Sequence, residues 1–292
     1  MAGVEIELLI SSILYGLIWG GMYAVMSLGL ALIWSTSKVT NFSHGSIYVW
    51  AGYIWLFAFS ATKQNYLIAS VAAVVFALVL GFGLEKGLIS PLKKKPGWDL
   101  NCIIALLGFS LIVDSLALFS WGSYFKRIPE AVAGSIFFGV GYSISYQSIL
   151  TFIIGISTLV LLSLFMKKTK LGLSMRAIAN DPEGASIVGI DTSRVSFYAF
   201  GIGTALAGLA AIFLGNIILI GPNAGGSVLL KAFIIIVIGG LGSFKGTIAS
   251  AFLVALAEAI LAVFLGLANA VPLLFLLMII ILVVKPSGLF EG

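Results

Sequence analysis

The feature that most constrains this chain is the recurrence, from one end to the other, of apolar runs about 18 residues long or longer, the length at which an α-helix crosses a ~30 Å hydrocarbon core. A single buried core would need no such pattern. The candidate spans are Leu8 to Trp34, Gly45 to Ser60, Tyr66 to Leu84, Cys102 to Trp121, Ile149 to Met166, Val195 to Gly215, Val228 to Leu241, Thr247 to Leu267 and Ala268 to Val284. They predict an all-α fold, a polytopic integral membrane protein of about eight or nine transmembrane helices. Of the 292 residues, 61% are hydrophobic and 9% charged, against the roughly one quarter charged in a soluble domain. No polar stretch is large enough for a separate soluble domain. Residues 1–292 therefore read as one membrane domain.

Orientation follows from where the basic residues fall if the chain alternates sides. One side receives Lys38, Lys86, Lys93 to Lys95, Lys167, Lys168, Lys170, Arg176, Arg194, Lys245 and Lys285; the other receives Lys63, Lys126 and Arg127, with Lys231 at a span edge. This asymmetry predicts an N-terminus outside and a C-terminus in the cytoplasm. Glu5 and Glu7 stand where a signal peptide would carry Lys or Arg, so the first run is expected to remain as a span. Cys102 is the lone cysteine, which excludes an intrachain disulfide and suggests a packing role.

Two spans are short and adjoin glycine-containing elements, as broken or re-entrant helices do. Asn41-Phe42-Ser43-His44-Gly45 precedes one, and Gly239-Gly240-Leu241-Gly242-Ser243 ends the other. The first reads either as helix capping at a membrane boundary or as a helix start partway into the membrane, lining a translocation path; the shortness of the following span favours the path. The second reads as close helix packing or as a hinge in the same path, and the residues do not separate these. Their comparable places in the two halves hint at an inverted repeat. The path is thus assigned to Asn41, Ser43, His44, Gly45, Gly239, Gly240, Gly242 and Ser243. A single histidine without cysteine or carboxylate neighbours argues against a metal site.

Between the fifth and sixth spans, residues 167–194 are the most structured polar segment. Lys170 to Asn180 predicts a short amphipathic helix, with Leu173, Met175, Ala177, Ile178 and Ala179 apolar and Lys170, Ser174 and Arg176 polar. Asp181 suits an N-cap, Pro182 the first helical position, Glu183 the positive helix end and Gly189 a left-handed terminus. Such an element is a connector resting on anionic lipid or a docking element for a cytoplasmic partner. On the opposite side, Ile136 to Phe138 and Tyr142 to Tyr146 alternate as a small hairpin would, or form an interfacial aromatic segment.

These segments together resemble the H-type permease subunit of bacterial branched-chain amino acid ABC importers. The resemblance rests on Asn41 to Gly45, on Leu171-Gly172 through Arg176-Ala177 and Gly189-Ile190, on Val237 to Ser243, and on Lys285-Pro286-Ser287-Gly288-Leu289-Phe290. Phe244-Lys245-Gly246 and Lys285-Pro286 depart from it, where a small residue or proline and an Arg-Pro are expected. It implies an inner-membrane translocation subunit, with a second (M-type) permease, two ATP-binding subunits and a periplasmic substrate-binding protein as partners. It also implies that Gly172, Arg176, Ala177, Asn180, Asp181, Pro182, Glu183 and Gly189 couple to the ATPase. The chain carries no phosphate-binding loop, since Phe244 precedes Lys245 where glycine would be required. ATP hydrolysis is therefore expected on another chain, with no cofactor and no enzymatic role on this one. Nothing points to nucleic acid.

Asp114 and Glu258 are the two acids inside apolar runs, and intramembrane acids are functional candidates. Without an evident partner other than Lys231, they read as interhelical hydrogen-bond or packing sites. The competing function is an ion-coupled secondary amino acid transporter, which the broken spans and these acids would also serve.

Overall fold

The computed structural model describes residues 2–137 and 143–290. The helices are α1 (Ala2–Ser37), α2 (His44–Ala61), α3 (Tyr66–Leu84), α4 (Ser90–Leu92), α5 (Trp98–Trp121), α6 (Tyr146–Lys168), α7 (Lys170–Asn180), α8 (Pro182–Ile187), α9 (Thr192–Leu214), α10 (Ala224–Gly239), α11 (Phe244–Leu265) and α12 (Leu267–Val284). A π-helical turn, Glu85–Ile89, joins α3 to α4. By length and composition, α1, α3 with its extension to Leu92, α5, α6, α9 and α11 can each cross a membrane; α10 and α12 are shorter apolar helices. Each of the nine expected spans corresponds to one helix. Helix α1 starts six residues before the expected span; the other ends differ by up to about a turn, and Asn65, Ser145, Asp191 and Ser243 set four of them by accepting a hydrogen bond from a first-turn N–H.

Helices α1 and α9 form the centre, where α1 is buried along most of its span and Ala199, Phe200, Ala207, Ala210 and Ala211 of α9 are fully enclosed. They cross at Gly29 and Gly203, where a methyl on either would collide with the other's carbonyl. Leu32 packs with Val195 and Ala199, four to eight residues N-terminal to that crossing on α9, so the two helices run antiparallel. Their neighbours then match by exchange: α11 lies on α1 as α3 lies on α9, and α10 meets α2. This is an inverted repeat of α1–α3 against α9–α11.

The repeat pairs the elements differently from the sequence expectation. Asn41 to Gly45 matches residues 221–225, not Gly239 to Ser243: His44 and Ala224 each open a helix after a two-residue turn, and each N–H bonds the carbonyl three residues back, at 3.1 and 3.0 Å. The glycines that follow, Gly45 and Gly225, face one another so closely that a Cβ on Gly45 would strike the Gly225 carbonyl. Sequence periodicity missed this because α10 begins at Ala224, a turn before its continuous apolar run.

That early start also moves Lys231 from a span edge to the buried middle of α10, where it is 9% exposed. It therefore leaves the orientation count. On the loop side, β1 (Ser135–Phe137) and β2 (Ser143–Ser145) form an antiparallel hairpin in the register Ser135–Ser145, Ile136–Ile144, Phe137–Ser143, so the alternation reflects a strand pair. Phe138 and Tyr142 lie outside the described residues. The preceding loop is tied to the α9–α10 connection through Lys126 and Ile220, whose backbones exchange bonds of 2.7 and 2.8 Å.

Candidate functional site

The residues expected to line the path in the first repeat form a sealed turn. Asn41 Oδ1 accepts from the Ser43 N–H (3.1 Å) and the Ser43 hydroxyl (2.6 Å), so Ser43 closes an Asx-type turn and does not cap α2 with its side chain. His44 Nε2 lies 3.1 Å from the Met26 carbonyl oxygen of α1. A carbonyl only accepts, so Nε2 carries the proton and Nδ1 is left as a buried acceptor with no partner among the described residues. Asn41, Ser43 and His44 are all 0% exposed. The structure brings them to the Gly45–Gly225 contact at the centre of the molecule.

Gly239 to Ser243 lies elsewhere, at the turn from α10 into α11. Gly239 packs against Gly246 and Thr247, Gly240 and Gly242 have φ of +92° and +99°, and the Ser243 hydroxyl accepts from Gly246 N–H at 3.1 Å. Both left-handed positions favour glycine, and the C-terminal segment closes over them through Leu289 N–H to the Ile238 carbonyl, 2.8 Å. This element is a packed turn and not a re-entrant span.

The third group, the polar segment after α6, is held at both ends. Thr169 caps α7 and Asp181 caps α8, accepting from Glu183 and Gly184 N–H at 3.1 and 3.0 Å; Pro182 occupies the first helical position, and Gly189 ends the unit at φ +87°. Gly172 is buried where a methyl would strike the Phe165 carbonyl, which lets α7 lie across the end of α6. The buried face of α7 is Gly172, Met175 and Ile178, and Met175 and Ile178 pack with Val195 and Ala199 of α9. Leu173, expected on the apolar face, is instead 45% exposed.

Beside α7 runs a groove of about 490 Å³ lined by Leu173, Arg176, Ala177 and Asn180 on one wall and by Ser35, Gly242 and Phe244 on the other. It brings one end of α1, the α10–α11 turn and the α7 surface together. Asp181, Pro182 and Glu183 are exposed next to it. Sequence reasoning missed Ile187 and Val188, which are 86% and 76% exposed at the end of α8. Two large apolar side chains this open form an exposed apolar patch of the kind that interaction surfaces carry. A second cleft, of about 500 Å³, lies between Lys93, Lys94 and Glu85 on one side and Glu183, Ser186 and Thr192 on the other. Burial there pushes the Lys93 ammonium below the ordinary lysine range, with the Glu85 carboxylate opposing the shift.

The two intramembrane acids differ. Glu258 of α11 is fully buried and forms an ion pair with Lys231 of α10 at 2.6 Å, and Lys231 also donates to the Tyr23 hydroxyl of α1 at 3.0 Å. Glu258 is thus an interhelical tie, as expected from the sequence, and its partner is Lys231, the one candidate the sequence offered. Asp114 of α5 faces Ser46 of α2, and its Oδ1 has no partner among the described residues.

A family model described as a branched-chain amino acid transport system permease component matches residues 12–284. The chain is 30% identical to the high-affinity branched-chain amino acid transport system permease protein BraD of Pseudomonas aeruginosa, over 98% of this chain and 96% of the relative. It is 27% identical to LivH, the corresponding permease protein of Escherichia coli K12, over 94% and 92%. Among solved structures it is similar to PsaBC from Streptococcus pneumoniae in complex with Fab, with a TM-score of 0.50 and 15% identity over 94% of this chain and 88% of that one, a likeness of fold alone.

Proposed function

Since this chain belongs to the family of branched-chain amino acid transport system permease components, we propose that it is the H-type translocation subunit of an ATP-driven importer that carries branched-chain amino acids into the cytoplasm. Its partners are a second, M-type permease, two ATP-binding subunits and a periplasmic binding protein. ATP is bound and hydrolysed on those partners and no cofactor resides here. The chain sits in the inner membrane with its N-terminus outside and its C-terminus in the cytoplasm, following the basic-residue asymmetry.

The observation that carries the coupling role is the groove between α7 and the α10–α11 turn. An element capped at both helices and packed on α6 and α9 passes a displacement to those spans as a rigid body, which a floppy linker would not do. Arg176, Ala177 and Asn180 line the groove, and Ile187 and Val188 extend the surface.

The test is ATP-dependent leucine uptake by the complex reconstituted with its partners. Ala177→Asp, which puts a charge into the groove wall, is expected to cut uptake at least about tenfold and reduce ATPase copurification. Gly189→Val meets no neighbouring atom, since nothing lies within 4 Å of a Cβ there, but forces a β-branched residue to φ +87°. That strain, on the order of 1–2 kcal/mol, loosens the end of α8 while the membrane helices stay folded. Normal uptake by both variants would overturn the coupling assignment.

A further inference from the structure

A cavity of about 170 Å³ lies at the outer end of α9, lined by Trp19, Tyr23, Leu214, Ile217, Ile218, Lys231 and Glu258. Its polar end is incompletely bonded. Glu258 Oε1 takes the Lys231 ammonium, and the Tyr23 hydroxyl, which accepts from Lys231, turns its own proton toward the Glu258 carboxylate. Within hydrogen-bond distance Glu258 Oε2 still has no partner among the described residues, and neither has the Trp19 indole Nε1. Lys231 donates to Glu258 and Tyr23, which leaves one of its three N–H groups for a further acceptor. Two donors and one anionic acceptor therefore face one small space whose remaining wall is Leu214, Ile217 and Ile218. Buried polar atoms are almost always paired in native proteins, so this set calls for an occupant.

The geometry points to a binding site for a small zwitterion with an aliphatic side chain, an α-amino acid of the valine or leucine class. Its carboxylate takes the Trp19 N–H and the remaining Lys231 N–H, its ammonium donates to Glu258 Oε2, and its side chain rests on Leu214, Ile217 and Ile218. Net charge decides between this and a simple amine or acid. The Lys231–Glu258 pair is neutral, and a neutral zwitterion keeps it so, whereas either half-molecule would bury an uncompensated charge. Size agrees, because a cavity of about 150 Å³ is known to hold benzene. The assignment rests on the importer reading above, and it places a cargo contact inside the permease, away from the sealed turn at His44.

The experiment uses the complex of permease and ATPase subunits without the binding protein, with tritiated leucine as probe. Saturable binding is expected at concentrations on the order of 1 mM. Unlabelled leucine is expected to compete at least about tenfold better than 3-methylbutylamine or 4-methylpentanoate, which each carry half of its head group. Trp19→Phe is expected to weaken binding about tenfold with an unchanged unfolding temperature. Glu258→Gln paired with Lys231→Met removes both charges together, so no lone charge is buried, and is expected to abolish binding in a folded complex. Absence of saturable leucine binding, with leucine uptake intact once the binding protein is restored, would overturn the site and leave the importer reading standing. Equal competition by the amine or the acid would overturn the zwitterion assignment. Binding as described, without leucine uptake by the complete system, would support the site and overturn the importer reading.

Discussion

In the first repeat, α2 begins at His44 beneath α5; in the second, α10 begins at Ala224 with its outer face open. Trp50 of α2 donates its indole N–H to the Val113 carbonyl of α5 at 2.8 Å, and Trp121 of α5 stacks on Tyr53 at 4.6 Å and meets Trp50 edge-on at 5.0 Å. Helix α12 follows α11 as α5 follows the α3 segment, yet Asn223, Gly226, Ser227 and Leu230 of α10 remain exposed. Two related helix starts, joined at Gly45 and Gly225, thus have opposite surroundings. A symmetric design would have buried both. The open one presents small and polar groups at membrane depth, which is tolerated where another protein or water covers them.

The joint itself gives the largest expected effect. Replacing Gly45 with valine drives a side chain into the Gly225 carbonyl, and backbone cannot yield as a side-chain tip does. A loss of at least about 3 kcal/mol is expected, the upper end of ordinary overpacking, seen as a lower unfolding temperature in detergent. Wild-type stability in this variant would mean that the two helix starts are not in contact and the repeat is not closed at its centre.

A matched pair of substitutions tests the difference between the halves. Ser46→Trp, one residue after Gly45 in the sealed start, has no room and is expected to destabilise by about 1–3 kcal/mol. Ser227→Trp on the open start is expected to leave the isolated subunit folded, within about 0.5 kcal/mol of wild type, while reducing uptake by the assembled complex. Equal destabilisation of both would erase the distinction. Normal uptake by Ser227→Trp would show that the open face neither meets a partner nor borders the path.

Why the sequence revealed one half of this and not the other is physical. The nine helices were legible because length and hydropathy dominate helix formation in a membrane, and the α7–α8 unit because Asp181, Pro182, Glu183 and Gly189 are local signals read within a turn, although the Thr169 cap of α7 was not read. The repeat was hinted at but mispaired. Asn41 and His44 have Gly221 and Ala224 as counterparts, so the two turns share a backbone shape while their side chains share nothing, and residue identity cannot report shape. For the Lys231–Glu258 tie, which joins residues 27 apart on different helices, the sequence offered Lys231 as the one candidate partner, and only the fold shows that the two meet. Ile187 and Val188 looked like ordinary apolar residues of a short helix; only the packing of α8 through Ala185 shows that they point away.

The smallest effect is expected at the cover over α2. Trp50→Phe removes the N–H that bonds the Val113 carbonyl but keeps an aromatic ring against Trp121. A net hydrogen bond of this kind contributes about 1 kcal/mol, so the unfolding free energy is expected to fall by that amount and no more. Trp50→Leu loses the ring contact as well, which adds roughly 0.5–1.5 kcal/mol. Uptake is expected to be unchanged in both, because α5 lies over the sealed start and away from the α10 face and the α7 groove. The informative result would be the reverse: uptake reduced by Trp50→Phe at unchanged stability would mean that the α5–α2 contact opens during transport. The sealed half would then be a moving part, and the contrast between the two repeats would reduce to one of resting state.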